Sequence, residues 1–211
     1  MNNDNSFCTI YIVRHAQSEA NAAKILGGNY PLTNLGKDQA LRRNKSLSHV
    51  PFSHIYASDL VRSKETAEIL SLKRDIAVKT NQVLRERHFG KLDGRLLSEI
   101  EEEIDKWSKM VSNMSKNERF NHQDGNGIEN GASLIGRYFT FLREVSIVNL
   151  GKNILIISHS NVMRTLLVHL GFASSEQMPR GAIENTGYIK LRSDGTDFFI
   201  DETVGIYPKD V

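Results

Sequence analysis

Two segments far apart in this chain share one order of residues. In the first, the apolar run Thr9–Val13 ends at Arg14-His15, and small and polar residues follow through Ser18 and Asn21. In the second, Asn153-Ile154-Leu155-Ile156-Ile157 ends at Ser158-His159-Ser160-Asn161, and the amphipathic stretch Val162–Val168 comes next. A short apolar run that stops at polar residues and passes into a helical pattern reads as a buried strand followed by a helix. Two such strands, parallel in one sheet, bring both histidines to the same edge. That is the carboxyl edge, where open α/β sheets bind ligands.

An Arg-His pair after one strand is common, so the case rests on partners elsewhere. Ser58–Ala67 follows a short strand, His54–Ala57, and places Arg62 in the first turn of a helix at the same edge. A helix amino terminus favours anions, so a cation there is out of keeping with the dipole. The plain alternative is an exposed helix arginine, but that leaves unexplained why three strand ends each present a cation. The fourth segment, Leu84–Gly94, holds two glycines and the carboxylate Glu86 among basic residues. The plain alternative for Glu86 is a surface salt bridge, which contributes little.

Apolar runs alternate with helical patterns, which makes the class α/β. Further strands are expected at Asp75–Lys79 and at Gly187–Thr203, the latter as two strands around a Ser193-Asp194-Gly195 turn. Helices are expected over Leu35–Leu47 behind a Thr33 cap, Val61–Leu70, from a Ser98 cap to Met114, and Ser133–Val148. Ser115–Gly131, rich in Asn, Gly and Lys, reads as a long exposed loop. With no repeat or linker, residues 1–211 are expected to form a single domain with a lid-like insertion at about 95–131.

Composition narrows the chemistry. A net charge of +2 gives no reason to expect nucleic acid. The single cysteine, Cys8, excludes an intrachain disulfide and reads as a small core residue. The seven histidines show no familiar metal-ligand spacing, so neither a metal nor another cofactor is expected. The stretch Met1–Ser6 is polar and no apolar run approaches membrane-spanning length, so a cytoplasmic protein without membrane contact is the expectation.

Together these segments resemble the histidine phosphatase superfamily, in its phosphoglycerate mutase-like branch. Six motifs carry the resemblance, in family order and over nearly the whole chain. They are Arg14-His15 continuing to Ser18 and Asn21, Pro31-Leu32-Thr33-Asn34-Leu35-Gly36, Ser58 to Arg62, Glu86 with Phe89-Gly90, Ser158-His159, and Asn185-Thr186-Gly187. The resemblance implies a three-layer α/β/α fold around a mostly parallel central sheet. It implies that His15 attacks phosphorus to form a phosphohistidine. Arg14, Arg62 and His159 would hold the phosphoryl oxygens, Asn21 would add a hydrogen bond, and Glu86 would act as acid and then base. Ser18, Arg87, Ser160 and Asn161 complete the implied substrate-binding set, and Ser18 is equally suited to cap the helix that follows it.

That division of labour is physically sound. Phosphoryl transfer needs an in-line nucleophile and positive charge around the equatorial oxygens. Guanidiniums match phosphate geometry and stay charged, and nearby cations keep an imidazole neutral and nucleophilic. The chain departs from the family at Ala16 and Ser160, where glycine is usual, and at Ala132, which stands in a Gly-Glu-Ser-like motif without its Glu.

Phosphatase and mutase readings both fit the catalytic residues. Glu86-Arg87-His88-Phe89-Gly90 and Asn161 have a mutase character. Against it, Trp107–Gly131 lacks the paired arginines with which mutases grip a carboxylate, and Asn185-Thr186-Gly187 is phosphatase-like. The expected activity is a metal-independent phosphomonoesterase acting on a small phosphorylated metabolite, with mutase-type transfer as the alternative. A non-catalytic phosphate-binding module is the third reading, but His15, Arg62, Glu86 and His159 are all present. The substrate and the oligomeric state stay open, with a homodimer admitted.

Overall fold

In a computed structural model, residues 6–112, 114–123 and 125–210 are described. Residues 1–5 of the polar amino terminus lie outside that range. Six strands, β1 (Cys8–Arg14), β2 (Phe52–Ala57), β3 (Val78–Thr80), β4 (Asn153–Ser158), β5 (Ile183–Ser193) and β6 (Phe198–Ile206), form one sheet in the order β3-β2-β4-β1-β5-β6. Strands β1 to β4 run parallel, and β5 and β6 extend the sheet antiparallel. The mostly parallel sheet expected from the alternation of strands and helices is therefore present.

Alternation along the strands explains the three layers. On one face Ile10, Ile12, Ile154 and Ile156 pack against α6 (Gly131–Ile147) and α7 (Ser160–His169). On the other, Tyr11, Val13, Leu155 and Ile157 meet α2 (Asn34–Ser46) and α3 (Val61–Ser71). A strand buried on both faces reads as a continuous apolar run, as both His-bearing segments do. Cys8 is buried in this core, and burial pushes its thiol pKa up to about 12, as befits an inert core residue.

Register sets the site. Arg14 pairs with Ser158 across the β1–β4 ladder, and the His15 N–H donates to the Ser158 carbonyl at 2.9 Å. The two histidines therefore leave adjacent strands at the same level. Gly36 closes the approach: a Cβ there would sit 2.0 Å from the Gln17 carbonyl, so only glycine lets α2 press against the segment that follows His15.

Several boundaries differ from expectation. The edge strand β3 starts later, at Val78, and β5 starts earlier, at Ile183. Ser98 does not cap a helix; it lies within a 3-10 turn, Leu97–Glu99, and α4 runs Glu101–Ser112. The expected loop Ser115–Gly131 contains α5 (Lys116–Asn121), opened by a capping box between Ser115 and Glu118. Helix α6 begins before Ser133 because Asn130 caps it. Among the described residues no helix is long and apolar enough to cross a membrane.

Candidate active site

His15 follows β1 and is 3 % exposed. Its ring is held at both nitrogens. Nδ1 lies 2.7 Å from the Ala16 carbonyl, and Arg62 donates from Nε to Nε2 at 3.1 Å. A carbonyl only accepts and a guanidinium only donates, so the proton sits on Nδ1 and the lone pair on Nε2. Burial, then the Arg62 and Arg14 guanidiniums, hold the imidazole well below its usual pKa, against the opposing pull of the Ala16 carbonyl. The Nδ1–H tautomer is thus the resting state.

His159 ends the second strand segment and is fully buried. The two imidazole centroids lie 5.1 Å apart. The Ser58 hydroxyl, one residue beyond β2, is 2.8 Å from His159 Nε2, while Nδ1 is buried without a hydrogen-bond partner. Burial, followed by the charge of Arg62, keeps His159 well below its usual pKa as well.

The two cations beside these rings are anchored to backbone. Arg62 lies in the first turn of α3 and also donates from Nη1 to the Gly28 carbonyl at 2.6 Å. Arg14 donates from Nη1 to the Ile183 carbonyl, and its buried Nε lacks a partner. Burial lowers the pKa of both, while the nearby Glu86 carboxylate raises it.

Glu86 sits against the amino terminus of α7. Its Oε2 accepts from the Asn161 N–H at 3.2 Å and Nδ2 at 3.3 Å, and Oε1 accepts from the Val162 N–H at 3.2 Å and the Arg87 N–H at 2.9 Å. The positive end of a helix and four donors fix this carboxylate beside the histidine that precedes the helix. Glu86 and Arg62, with Gly28, Arg87, Asp93 and Glu129, line a cleft of about 460 Å³. A larger cleft of about 600 Å³ lies on the α2 side of Arg14, which lines it, and contains neither Arg62 nor Glu86.

The structure brings Arg14, His15, Arg62, Glu86 and His159 to this one edge, as the sequence led us to expect. The other expected residues divide. Asn21 accepts at Oδ1 from the Ser18 N–H at 3.2 Å and from Asn185 Nδ2 at 3.3 Å. Ser18 is fully buried and caps the short α1 (Glu19–Ala22) through its Oγ. Asn161 is spent on Glu86 and accepts from Arg164 at 3.3 Å. Arg87 donates from Nη2 to Thr165 at 3.0 Å, with its buried Nε unpartnered. Ser160 opens α7 directly after His159.

Neither glycine replacement strains the chain. Ala16 and Ser160 both lie outside the positive-φ residues, so a Cβ costs nothing in backbone conformation there. Ala16 also uses its N–H, donating to Thr66 Oγ1 at 3.1 Å. Sequence reasoning missed Ser58, Thr66 and Asn185, whose Nδ2 donates to the His15 carbonyl at 3.0 Å. The signal for Ser58 and Asn185 was their place inside recognised motifs. Among the described residues no group of three or more His, Cys, Asp or Glu is gathered to hold a metal ion.

Residues 10–204 match the family described as the histidine phosphatase superfamily (branch 1). The chain is 29 % identical over 185 residues to a 2,3-bisphosphoglycerate-dependent phosphoglycerate mutase 2 of Gloeobacter violaceus, covering 83 % of this chain and 81 % of that one. It is 40 % identical over 96 residues to the fructose-2,6-bisphosphatase TIGAR of Xenopus laevis, covering 42 % of this chain and 35 % of that one. In fold it is similar to a phosphoglycerate mutase from Bacillus anthracis str. Sterne, with a TM-score of 0.81, 22 % identity, and coverage of 98 % and 96 % of the two chains.

Proposed function

Since the chain belongs to the histidine phosphatase superfamily (branch 1), we propose that it is a phosphatase that hydrolyses small phosphate monoesters through a phosphohistidine on His15. The observation that carries this reading is the fixed tautomer of His15, with its lone pair at Nε2 and Arg62 beside it.

The chemistry runs in two displacements. Nε2 of His15 attacks phosphorus while the ester P–O bond breaks, and Glu86, which takes up a proton as the anionic phosphoryl group binds beside it, gives that proton to the leaving oxygen. Arg14 and Arg62 face the equatorial oxygens, and Asn21 donates from Nδ2. A phosphoryl oxygen can satisfy the orphaned His159 Nδ1 only if that nitrogen carries the proton, with Nε2 accepting from the Ser58 hydroxyl. The Nδ1–H of His15 stays on the Ala16 carbonyl, which stabilises the charge that develops on the phosphorylated ring. Glu86, now a carboxylate, takes a proton from water as that water attacks phosphorus. The P–N bond breaks and His15 returns to its neutral form.

Hydrolysis is favoured over transfer because a mutase must shield the phosphohistidine from water and grip the bound intermediate. The segment Trp107–Gly131 carries one arginine, Arg119, and it is committed to an ion pair with Glu176. The mutase reading keeps one observation, the unpartnered Nε of Arg87 beside Glu86, which suits a second anionic group on a substrate. A phosphate-release screen over a panel of phosphorylated metabolites, with phosphoglycerate mutase activity assayed beside it, separates the two. Phosphate release without interconversion supports the phosphatase. Interconversion without release would replace it with the mutase.

A further inference from the structure

Glu86 is fixed at both ends, and the end away from α7 is held by Arg137 and Glu129, which line the same cleft. Arg137, in the second turn of α6, turns its guanidinium toward the backbone of the segment that carries Glu86. It donates from Nη1 to the carbonyls of Val83 and of Arg85, the latter at 2.9 Å, and from Nη2 to the carbonyl of Glu86 at 3.3 Å. The same guanidinium grips Glu129 at both oxygens, at 2.7 and 2.9 Å. Glu129 then closes the circuit. Its N–H donates to the His88 carbonyl at 2.9 Å, and its Oε2 accepts from the His88 N–H at 3.3 Å.

The two side chains are only 22 % and 13 % exposed, so this is not a surface pair screened by water. One planar cation meets three carbonyls and a carboxylate, a task that a point charge cannot perform. The segment also runs against the chain just before α6. The Lys91 N–H donates to the Asn126 carbonyl at 2.9 Å, and a Cβ at Gly90 would come within 1.9 Å of that oxygen. The φ of +56° at Gly90 likewise requires glycine.

We infer that Arg137 and Glu129 form a positioning pair that sets the distance of the Glu86 carboxyl from the leaving oxygen. The inference rests on the reading of Glu86 as the general acid. A small displacement of a positioned acid is enough to cost much of its effect, about a hundredfold for a shift near an ångström. The pair therefore acts on the step that needs a proton, and far less on steps that do not.

The test compares an alkyl phosphate, whose leaving oxygen needs protonation, with nitrophenyl phosphate, whose leaving group does not. Arg137→Met is expected to lower the ratio of the two kcat/KM values, which report transfer to His15 and not hydrolysis of the shared phosphoenzyme, by about thirtyfold, in the direction set by Glu86→Gln and to a smaller extent. If Arg137→Met fails to fold, Glu129→Gln carries the test, with the same sense of change expected. An equal fall in both rates, with the Glu86→Gln ratio still depressed, overturns the positioning role and leaves a structural one. A Glu86→Gln ratio that does not move overturns the acid reading itself, and the inference falls with it.

Discussion

Arg62 donates from Nε to Nε2 of His15 at 3.1 Å, so the lone pair that the proposed mechanism uses is marked by the cation that would face the phosphoryl group. The Nε–H must leave that lone pair as phosphorus arrives, while Nη1 stays on the Gly28 carbonyl at 2.6 Å and Nη2 remains to donate. Arg62→Lys keeps the charge but cannot hold Gly28 and a phosphoryl oxygen at once. Its kcat on nitrophenyl phosphate is expected to fall by about a hundredfold or more, as on loss of an oxyanion donor, with the fold intact by circular dichroism. Wild-type turnover in this variant would remove Arg62 from the machinery.

The pH profile follows from the same burial. His15 is held well below its usual pKa by burial and by Arg62 and Arg14, so it stays neutral as the medium turns mildly acidic. The acid limb of kcat/KM should therefore fall well below about pH 6.5, the ordinary histidine value. A limb centred at that ordinary value, and removed by no substitution other than at His15, would contradict the assignment.

Stability must fall with acid for the same reason. Below about pH 6.5 the unfolded chain protonates both His15 and His159 while the folded chain leaves them neutral. The unfolded state then binds more protons, so this contribution is complete above that pH. It is lost as pH drops, by up to about 2.7 kcal/mol per pH unit for the two groups together. Urea unfolding between about pH 7 and about pH 5 measures it, and His159→Gln should remove about half of the slope. An unchanged slope in that variant would show that His159 is not buried neutral.

Glu86→Gln keeps one of the two acceptor oxygens, sets an NH2 against the other N–H donors, and carries no acidic proton to give. It is expected to lower kcat/KM for alkyl phosphates by about a hundredfold or more, and for nitrophenyl phosphate much less, since kcat/KM reports the step that expels the leaving group. Equal losses on both substrates would mean that Glu86 holds the site together without acting as the acid.

In the proposed mechanism the charge needed by the transition state comes from Arg14 and Arg62, so chelators should leave the rate unchanged. A strict divalent-metal requirement for purified enzyme would contradict this mechanism.

Much of this site was legible because the strands that carry it are buried on both faces. Continuous apolar runs ending at Arg14-His15 and Ser158-His159 announced the edge, and register did the rest. The acid was legible as a carboxylate among cations, but what holds it was not. The absence of Glu at Ala132 was visible, whereas the Arg137–Glu129 pair depends on how α6 lies against the segment 83–88, which no local pattern encodes. Asn161 was expected on the substrate and instead serves Glu86, because the amino terminus of α7 points its N–H groups at that carboxylate. Helix α5 was hidden by composition: Asn and Lys suggest a loop, yet the Ser115–Glu118 capping box nucleates a turn.

The central claim is a covalent phosphoenzyme at His15. Mixing the enzyme with excess substrate, quenching in alkali and mapping the peptides by mass spectrometry reads it directly. The account predicts one acid-labile, alkali-stable phosphoryl group on the peptide containing His15, absent in His15→Ala, which should also be inactive. Turnover by His15→Ala, or label on a different residue, would contradict it.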